Sequence, residues 1–539
     1  MIEIEPITMK TAITLFLTSL CSLLLYAEIH YKPRFLKGLL YRKQPEIIFD
    51  TPRRIETDSL PVALIIKDAH KYNIELNNIF IQLFINAEPV EKFSFRENLT
   101  VDSKFFSRIY RLDIKNYQGT QLEIKCYLEC KIEKKQYVVL NNNYPFLKDK
   151  KLVVYPDPHK RPTMDQWQWG DIHCHSHYTE DQVEFGFPLQ HFPEIGLATG
   201  LSFAAITDHS YDLDDKPESW TGKDPELHKW HNMHRQITEL NREHPDFVLL
   251  PGEEISVDNG TGKTVHMLVI NSDQYFPGSG DSFENGFFQS SELTFKQILD
   301  RIDDNKIAIA AHPFDQPSPV QSIFLKRGIW DSGSVDERLA GYQILNGKRG
   351  DGFTRGNQEW IKNLLQRKRL LIYAGNDSHG FLNRFISIHA PLLSLNNSAG
   401  HIFGEMVTAV KNSDKDVKGI TQALKNNPII ISSGPLIDLF LINGSREAGI
   451  GQTLNSIPQS LKIKAKSIPY FGKIKEVRNY LADYSGNREV QINTYNLDNL
   501  ACEKEVKLSN IPQEGYIRSE LTTTRGKFAM TNPVWYQAE

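Results

Sequence analysis

Residues 170–181 read GDIHCHSHYTED, and this stretch decides how the rest of the chain is interpreted. His173 and His175 are two residues apart, so on a strand both side chains lie on one face. Cys174 then points to the opposite face, where we expect it to pack and not to bind a metal. The stretch therefore predicts a strand that presents two imidazole groups together.

Outward from this stretch, short apolar runs that are typical of buried strands alternate with helical periodicity. The runs are residues 202–207, 247–250, 307–311 and 370–374. Phe295, Ile298 and Leu299 recur at helical spacing, as do Trp360 and Leu364. Repeated βα units over residues 159–435 favour an α/β barrel or a wound sheet.

Histidines and acids directly follow these strands. They are His173, His175, Asp208, His209, Glu253, His266, His312, Asp377 and His379. In an α/β barrel the carboxyl ends of the strands converge on one face, so residues far apart in sequence meet there. Imidazole and carboxylate together suit Zn, Mn or Fe. The pattern predicts a metal centre.

The runs HCHSHYTED, ITDHS, GEE, AAHPF and GNDSHG resemble, in order, the motifs of the PHP (polymerase and histidinol phosphatase) family. The resemblance covers roughly residues 159–435. It implies an α/β fold with a distorted (β/α)7 barrel that holds two or three divalent metal ions.

The resemblance also implies a ligand set. The first metal would be held by His173, His175, Glu253 and Asp377, and Glu253 would bridge to a second metal held by His266 and His312. A third metal would take His209, His379 and either Glu180 or Asp181, because the sequence departs from the usual family pattern there. Asp208 would orient His209 or manage protons.

Phosphoester hydrolysis is the leading activity that follows, because two metals lower the pKa of a bridging water. Arg384 is the first candidate for a cationic contact to phosphate, and Lys348 and Arg349 are weaker candidates. Two alternatives stay open: hydrolysis of an amide, carbamate or carboxylic ester at the same site, and a membrane-anchored binding protein without catalysis.

The flanking regions are predicted to be β domains. Period-2 alternation over residues 44–157 favours an Ig-like β-sandwich, and residues 436–539 return to β alternation. Residues 257–264 (VDNGTGKT) imitate a phosphate loop but lack its first glycine, so they predict a glycine hairpin.

Composition limits the partners of the chain. The 539 residues include 62 Lys and Arg against 66 Asp and Glu, a net charge of −4, which offers no bulk attraction to nucleic acid. An oligonucleotide substrate nevertheless stays open. Five cysteines are too few for a disulfide framework.

The N-terminal segment, residues 1–43, is the one candidate for a membrane anchor. Residues 11–27 (TAITLFLTSLCSLLLYA) carry no charge and are near the length that a spanning helix needs. An export signal is the alternative. Basic residues after the apolar run favour a single-pass anchor with the body in the cytoplasm, although an extracytoplasmic body stays open.

Overall fold

The computed structural model describes residues 45–143, 151–179, 186–216, 219–282, 286–330, 336–383, 387–390, 393–396, 400–426 and 428–538. Several predictions fall elsewhere. The apolar run at residues 11–27 and the side chains of Glu180, Asp181 and Arg384 lie outside the described residues.

The first part of the chain forms two sheets that pack on each other. Its strands are β1 (Glu46–Asp50), β2 (Arg54–Ile55), β3 (Ser59–Lys67), β4 (Ile74–Ile85), β5 (Glu88–Val101), β6 (Phe105–Asp113), β7 (Leu122–Ile132), β8 (Lys135–Leu140) and β9 (Leu152–Pro156). One sheet has the order β1-β3-β6 and the other β2-β9-β7-β4-β5. Alternate residues of β4 and β7 are buried, because one face of each strand covers the shared core and the other meets solvent.

The middle of the chain supplies strands and helices around the site. The strands are β10 (Trp167–His175), β11 (Phe203–His209), β12 (Asp215–Lys216), β13 (Ser219–Lys223), β14 (Val248–Asp258), β15 (Thr264–Ile270), β16 (Ile307–Ala310), β17 (Gly341–Asn346), β18 (Leu371–Gly375), β19 (Ser378–His379), β20 (Ser387–Ala390), β21 (Leu393–Asn396), β22 (Val407–Lys411) and β23 (Ile429–Ser432). The helices are α1 (Phe192–Ala198), α2 (Ser210–Leu213), α3 (His228–Glu243), α4 (Phe295–Leu299), α5 (Pro319–Phe324), α6 (Asp351–Leu365) and α7 (Val417–Asn426).

The sheet that carries the site is mixed and curled. β10, β11 and β14 run parallel, as do β16, β17 and β18. Beyond β18, Ser378 and His379 pair with Cys174 and His175 of β10, which brings the two ends of this strand series together. On the same edge, opposite β11, the first half of β10 pairs with β22, and the sheet continues through β23 into the last part of the chain.

The prediction of an α/β fold with a helix-rich (β/α)7 barrel is wrong. Among the described residues 47 % are strand and 16 % helix. β15 runs antiparallel to both β14 and β16, and a hairpin joins β14 to β15 where a βα unit would need a crossover helix. Gly260 and Gly262 adopt positive φ in that turn, so the predicted glycine hairpin is confirmed.

The last part of the chain is β-rich. Its strands are β24 (Leu436–Asn443), β25 (Arg446–Gly449), β26 (Thr453–Leu454), β27 (Ser460–Lys466), β28 (Ile474–Asp483), β29 (Arg488–Asn499), β30 (Ala501–Lys507), β31 (Glu514–Thr523), β32 (Phe528–Thr531) and β33 (Val534–Gln537). β24, β25, β27 and β30 form a separate four-stranded sheet. β32, β31, β28 and β29 extend the sheet that carries the site.

In the part of the chain that the structure describes, no helix has the length and apolar character needed to cross a membrane. The predicted single-pass anchor, with its membrane partner and localisation, therefore finds no support among the described residues. Residues 11–27, on which that prediction rested, lie outside the described residues.

Candidate metal centre

Neighbouring strands of the curled sheet bring histidines and carboxylates into one buried cluster. β10 supplies His173 and His175, β11 supplies His209, and β14 and β15 supply Glu254 and His266. His312 follows β16, Asp377 follows β18, and His379 lies in β19. Three groups within this cluster have ligand atoms close enough to share a metal ion: His173, His175, Glu254 and Asp377; Glu254, His266 and His312; and His175, His209 and His379.

The first group surrounds Nε2 of the two β10 histidines. His175 Nε2 lies 3.2 Å from His173 Nε2 and 3.1 Å from Asp377 Oδ1. Glu254 Oε2 lies 3.3 Å from His173 Nε2 and 3.4 Å from His175 Nε2. Four potential ligand atoms thus point at one another.

Glu254 joins all of the histidine sets. Its Oε2 atom also lies 3.1 Å from His209 Nδ1, while its Oε1 atom lies 2.6 Å from His266 Nδ1 and 3.0 Å from His312 Nε2. The two oxygens of one carboxylate therefore face different groups of imidazoles, which is the arrangement of a bridging ligand.

The bridging position predicted for Glu253 is occupied by Glu254. Adjacent residues of a strand point to opposite faces, and Glu253 of β14 points away from the cluster. Glu253 accepts hydrogen bonds from Trp230 Nε1 at 3.1 Å and from the Phe276 backbone N–H at 3.3 Å. Burial raises the pKa of Glu253 to about 8, so it carries little charge at neutral pH.

A carboxylate that the sequence pattern does not predict contacts His266 of the second group from outside the cluster. Asp281 Oδ2 lies 3.0 Å from His266 Nε2, on the side of the ring that faces away from Glu254. Arg327 holds this carboxylate with a 2.8 Å hydrogen bond and is itself partly exposed. Asp281 and Arg327 follow no strand of the predicted series, so the strand-end pattern could not find them.

The third group stacks against the first. The rings of His175 and His379 are 4.0 Å apart between centroids, and His379 Nε2 lies 3.4 Å from His209 Nε2. The carboxylate predicted to complete a third metal site, Glu180 or Asp181, lies outside the described residues.

Hydrogen bonds from outside the cluster fix the orientation of the imidazole rings. His173 Nδ1 lies 2.8 Å from Gln343 Oε1, and His175 Nδ1 lies 3.2 Å from Thr179 Oγ1. Histidines that bind metals are usually held in this way through the second ring nitrogen. The inward nitrogens of these two rings are therefore left for the cluster.

Asp208 lies behind the cluster and not in it. It accepts hydrogen bonds from the Ser176 backbone N–H and from Thr179 Oγ1, and Thr179 in turn contacts His175. Thr179 Oγ1 also accepts a 3.2 Å hydrogen bond from the His209 backbone N–H, so Asp208 is connected through Thr179 to both histidines, and its role in orienting His209 stays a prediction. Burial raises the pKa of Asp208.

Two residues of the cluster have strained backbones. His312 and Asp377 have φ angles of 28° and 50°, in the left-handed region that residues other than glycine rarely adopt. Such strain concentrates at functional sites, where the surrounding structure enforces it. In both cases the strained residue directs its side chain into the cluster.

Electrostatics favours the metal-binding protonation state for several members. Burial raises the pKa of Glu254, but the neighbouring charges of His266 and His173 outweigh it and hold the pKa well below its usual range. Asp377 behaves likewise beside His173 and His175. Burial and the nearby His379 and His209 lower the pKa of His175 well below its usual value. Ionised carboxylates and a neutral imidazole are the forms that bind metals.

The structure describes only some of the cationic residues that were predicted to contact phosphate. Arg384 lies outside the described residues. Arg349 stacks its guanidinium over the rings of Phe353 and Phe528, 5.1 and 4.5 Å from their centroids, which gives it a packing role. The guanidinium that does approach the cluster is that of Arg327, whose Nη2 lies 3.2 Å from His266 Nδ1.

Comparison with known proteins gives no family assignment. No family model matches the chain, and no curated protein matches it. Among solved structures, the chain is similar to a β-glucuronidase from Bacteroides uniformis, with 10 % identity over 92 % of this chain and a TM-score of 0.18. A β-glucuronidase from Parabacteroides merdae gives 9 % identity over 92 % of this chain and a TM-score of 0.18. The chain spans 61 % and 64 % of these two proteins.

These findings correct the PHP prediction. No family model and no curated protein supports that family, so the phosphoesterase activity, its acyl-hydrolase alternative and the predicted phosphate-ester, ester or amide substrates are withdrawn together with the resemblance. An enzyme remains the coarser expectation. Identities and TM-scores this low carry no argument about the substrate of this chain, so its function is argued from the cluster.

Proposed function

We propose that this chain is a metal-dependent hydrolase whose buried cluster holds two or three divalent ions, Zn, Mn or Fe. The observation that carries the proposal is Glu254 Oε2. This atom is buried and forms no well-aligned hydrogen bond with a described residue, although three imidazole nitrogens lie within 3.4 Å of it. A buried carboxylate oxygen without a donor is costly unless a cation satisfies it.

The donor set fits such ions. His173, His175 and Asp377 would hold the first ion, His266 and His312 the second, and Glu254 would bridge them; His209 and His379 would serve a third. Nitrogen and oxygen ligands without thiolate suit Zn, Mn and Fe. The outer contact of His266 to Asp281 is the carboxylate–histidine arrangement that orients ligands in metal sites.

When bound, paired divalent ions lower the pKa of water and polarise the bond to be cleaved. The residues of the chain supply the rest. Glu254 and Asp377 place negative charge at the centre, and Gln343 and Thr179 hold the β10 histidines in orientation. Asp377 and His401 are partly exposed, so the cluster can be reached from solvent on that side.

The test uses the full chain, stripped with a chelator and reloaded with Mn or Zn. Metal content is measured by mass spectrometry, and hydrolysis is followed on p-nitrophenyl acetate, phosphate and β-glucuronide as general reporters of hydrolysis, because the proposal names no substrate class. We expect metal-dependent release of p-nitrophenol from at least one compound. Glu254→Gln should lose both the activity and at least one equivalent of metal while its circular dichroism is unchanged.

Glu253→Gln is the matched control, because it makes the same chemical change one residue away on the opposite face of β14. We expect it to keep its metal content. Equal metal loss in the two variants would contradict the assignment of Glu254. Metal retention without turnover of any compound, or turnover that survives in Glu254→Gln, would contradict the hydrolase.

A further inference from the structure

A polar cavity, separate from the metal cluster, lies where the three parts of the chain meet. It is lined by Arg53 and Arg54 from the first sheets, by Arg161 and Phe403 from the middle, and by Phe471 and Lys527 from the last part, and it measures about 520 Å³ including its open mouth. Ligand sites commonly occur at such junctions. Arg161 lies beside Trp169, near the start of β10, whereas the metal cluster lies at the other end of that strand.

Carboxylates already pair with two of the four cations. Arg53 Nη1 lies 2.8 Å from Glu405, and Arg54 Nε lies 2.7 Å from Asp157. Arg161 and Lys527 make no ion pair with any described residue. The cavity therefore holds positive charge that the described part of the chain does not neutralise.

Arg161 is the more constrained of these two cations. It is only 7 % exposed, and its Nη2 donates to the backbone carbonyls of Thr199 and Gly404 at 3.4 and 3.2 Å. Its Nε atom is buried and has no acceptor among the described residues. Its guanidinium meets backbone carbonyls and the rings of Trp169 and Phe471 but forms no ion pair with a described carboxylate, so the buried charge is costly to maintain without an anion.

Lys527 is half-buried, and its ammonium forms no hydrogen bond with a described residue. Burial lowers the pKa of Lys527, and although Glu405 opposes this effect, the charges of Arg161 and Arg53 reinforce it. An anion between Lys527 and Arg161 would relieve that repulsion.

The remaining wall of the cavity is apolar. The guanidinium carbons of Arg54 and Arg161 lie 5.1 and 5.6 Å from the centroid of the Phe471 ring, and Phe403 and Leu382 complete this side. A bare inorganic ion would leave this surface in contact with water. A ligand with both a charged and an apolar end would cover it.

We propose that this cavity binds a small organic anion, whose carboxylate or phosphate lies between Arg161 and Lys527 and whose apolar part packs against Phe403 and Phe471. Charge-assisted hydrogen bonds to guanidinium and ammonium supply the affinity for the anionic group. The site does not depend on the metal centre or on the proposed hydrolase activity.

The probes are benzoate, its neutral analogue benzamide, and inorganic phosphate, each added to the full chain at constant ionic strength. Binding is followed by thermal shift and calorimetry. We expect benzoate and phosphate to raise the unfolding temperature and benzamide to leave it unchanged. An equal effect of benzamide, or no effect of either anion, would overturn the proposal.

Lys527→Met carries the mutational test, because replacement of the buried Arg161 can unfold the junction. We expect the dissociation constant for benzoate to rise at least tenfold, as for the loss of one charged hydrogen bond. Lys507→Met, on the exposed face of β30, is the matched control and should bind as the wild type does. Unchanged benzoate binding in Lys527→Met would place the anion elsewhere and overturn the site.

Discussion

The amide of Gln343 connects the metal cluster to its surroundings. Its oxygen lies 2.8 Å from His173 Nδ1, and its nitrogen donates a hydrogen bond to Asn346 Oδ1. The Asn346 side-chain amide in turn donates a 3.3 Å hydrogen bond to Asp377 Oδ2. One fully buried side chain thus orients a histidine and a carboxylate of the same group. It touches no reacting atom, so it is a positioning residue.

We expect Gln343→Leu to weaken metal affinity by roughly 10–100-fold, the usual effect of removing an outer-shell partner. Competition with a chromophoric chelator measures this affinity directly, without an assay of turnover. Gln513→Met, at an exposed position, is the control. Unchanged affinity in Gln343→Leu would show that packing alone orients His173.

At the residue scale, the sequence predicted which residue types meet but not which of two adjacent glutamates faces them. Both Glu253 and Glu254 are buried, so burial could not separate them. The informative signal is two residues further on: Ile255 and Val257 share the face of Glu253 and pack in an apolar core, whereas Ser256 shares the face of Glu254. Resemblance to the PHP family favours Glu253 in the GEE motif, whereas this alternation favours Glu254.

At the element scale, the short distance between the paired backbones of β17 and β18 depends on Gly341. A Cβ atom at this position would lie 1.9 Å from the backbone oxygen of Leu371, its paired residue on β18. Backbone atoms cannot move aside as a flexible side chain can, so β18 would have to shift. β18 leads directly to Asp377 and His379, so this shift would reach the metal cluster.

We therefore expect Gly341→Ala to destabilise the chain by about 1–3 kcal/mol, the usual cost of overpacking, and to lower its metal content. Thermal unfolding and metal analysis measure the two effects. Gly449→Ala in β25 is the control, because there the nearest atom to the added Cβ, on the Phe440 ring, is 3.5 Å away. If both variants unfold at the same temperature, β18 tolerates the displacement.

The elements themselves were predictable to different degrees. Apolar periodicity around Trp360 correctly placed helix α6, and the Asn-Gly-Thr-Gly turn correctly placed the β14–β15 hairpin. The antiparallel direction of β15 and the pairing of β10 with β22 were not predicted, because an apolar strand reads the same in either direction. Direction is set by connections and tertiary packing.

On the scale of the whole molecule, one of the four apolar clusters among the described residues contains residues from all three parts. A single apolar cluster contains Ile65 of β3, Trp169 of β10, Ile437 of β24 and Val534 of β33. The predicted boundaries near residues 158 and 436 therefore mark changes in sequence pattern across which packing continues. Residues that join the parts should influence the stability of the entire chain.

His191 is one such residue, at the junction between β6 and α1. Its Nε2 atom lies 3.0 Å from Ser107 Oγ of β6, and the ion pair between Arg111 and Glu194 lies beside it. Burial, with the positive charge of Arg111, lowers the pKa of His191 to about 4. An unfolded histidine has a pKa near 6.5. The neutral ring therefore contributes stability that is fully present above about pH 6.5 and is lost as the pH falls towards 4, because the unfolded chain takes up the proton first.

We expect His191→Gln to reduce the loss of stability between pH 6.5 and 4 by up to about 1.4 kcal/mol per pH unit, the limit for one proton. Urea unfolding of chelator-stripped protein at several pH values measures this slope without interference from metal release. His70→Gln, at an exposed histidine in the first part of the chain, is the control and should keep the wild-type slope. If the unfolding free energy of His191→Gln depends on pH as in the wild type, the acid sensitivity of the chain arises away from the β6–α1 junction. A weaker pH dependence in this variant alone places part of the acid sensitivity at that junction.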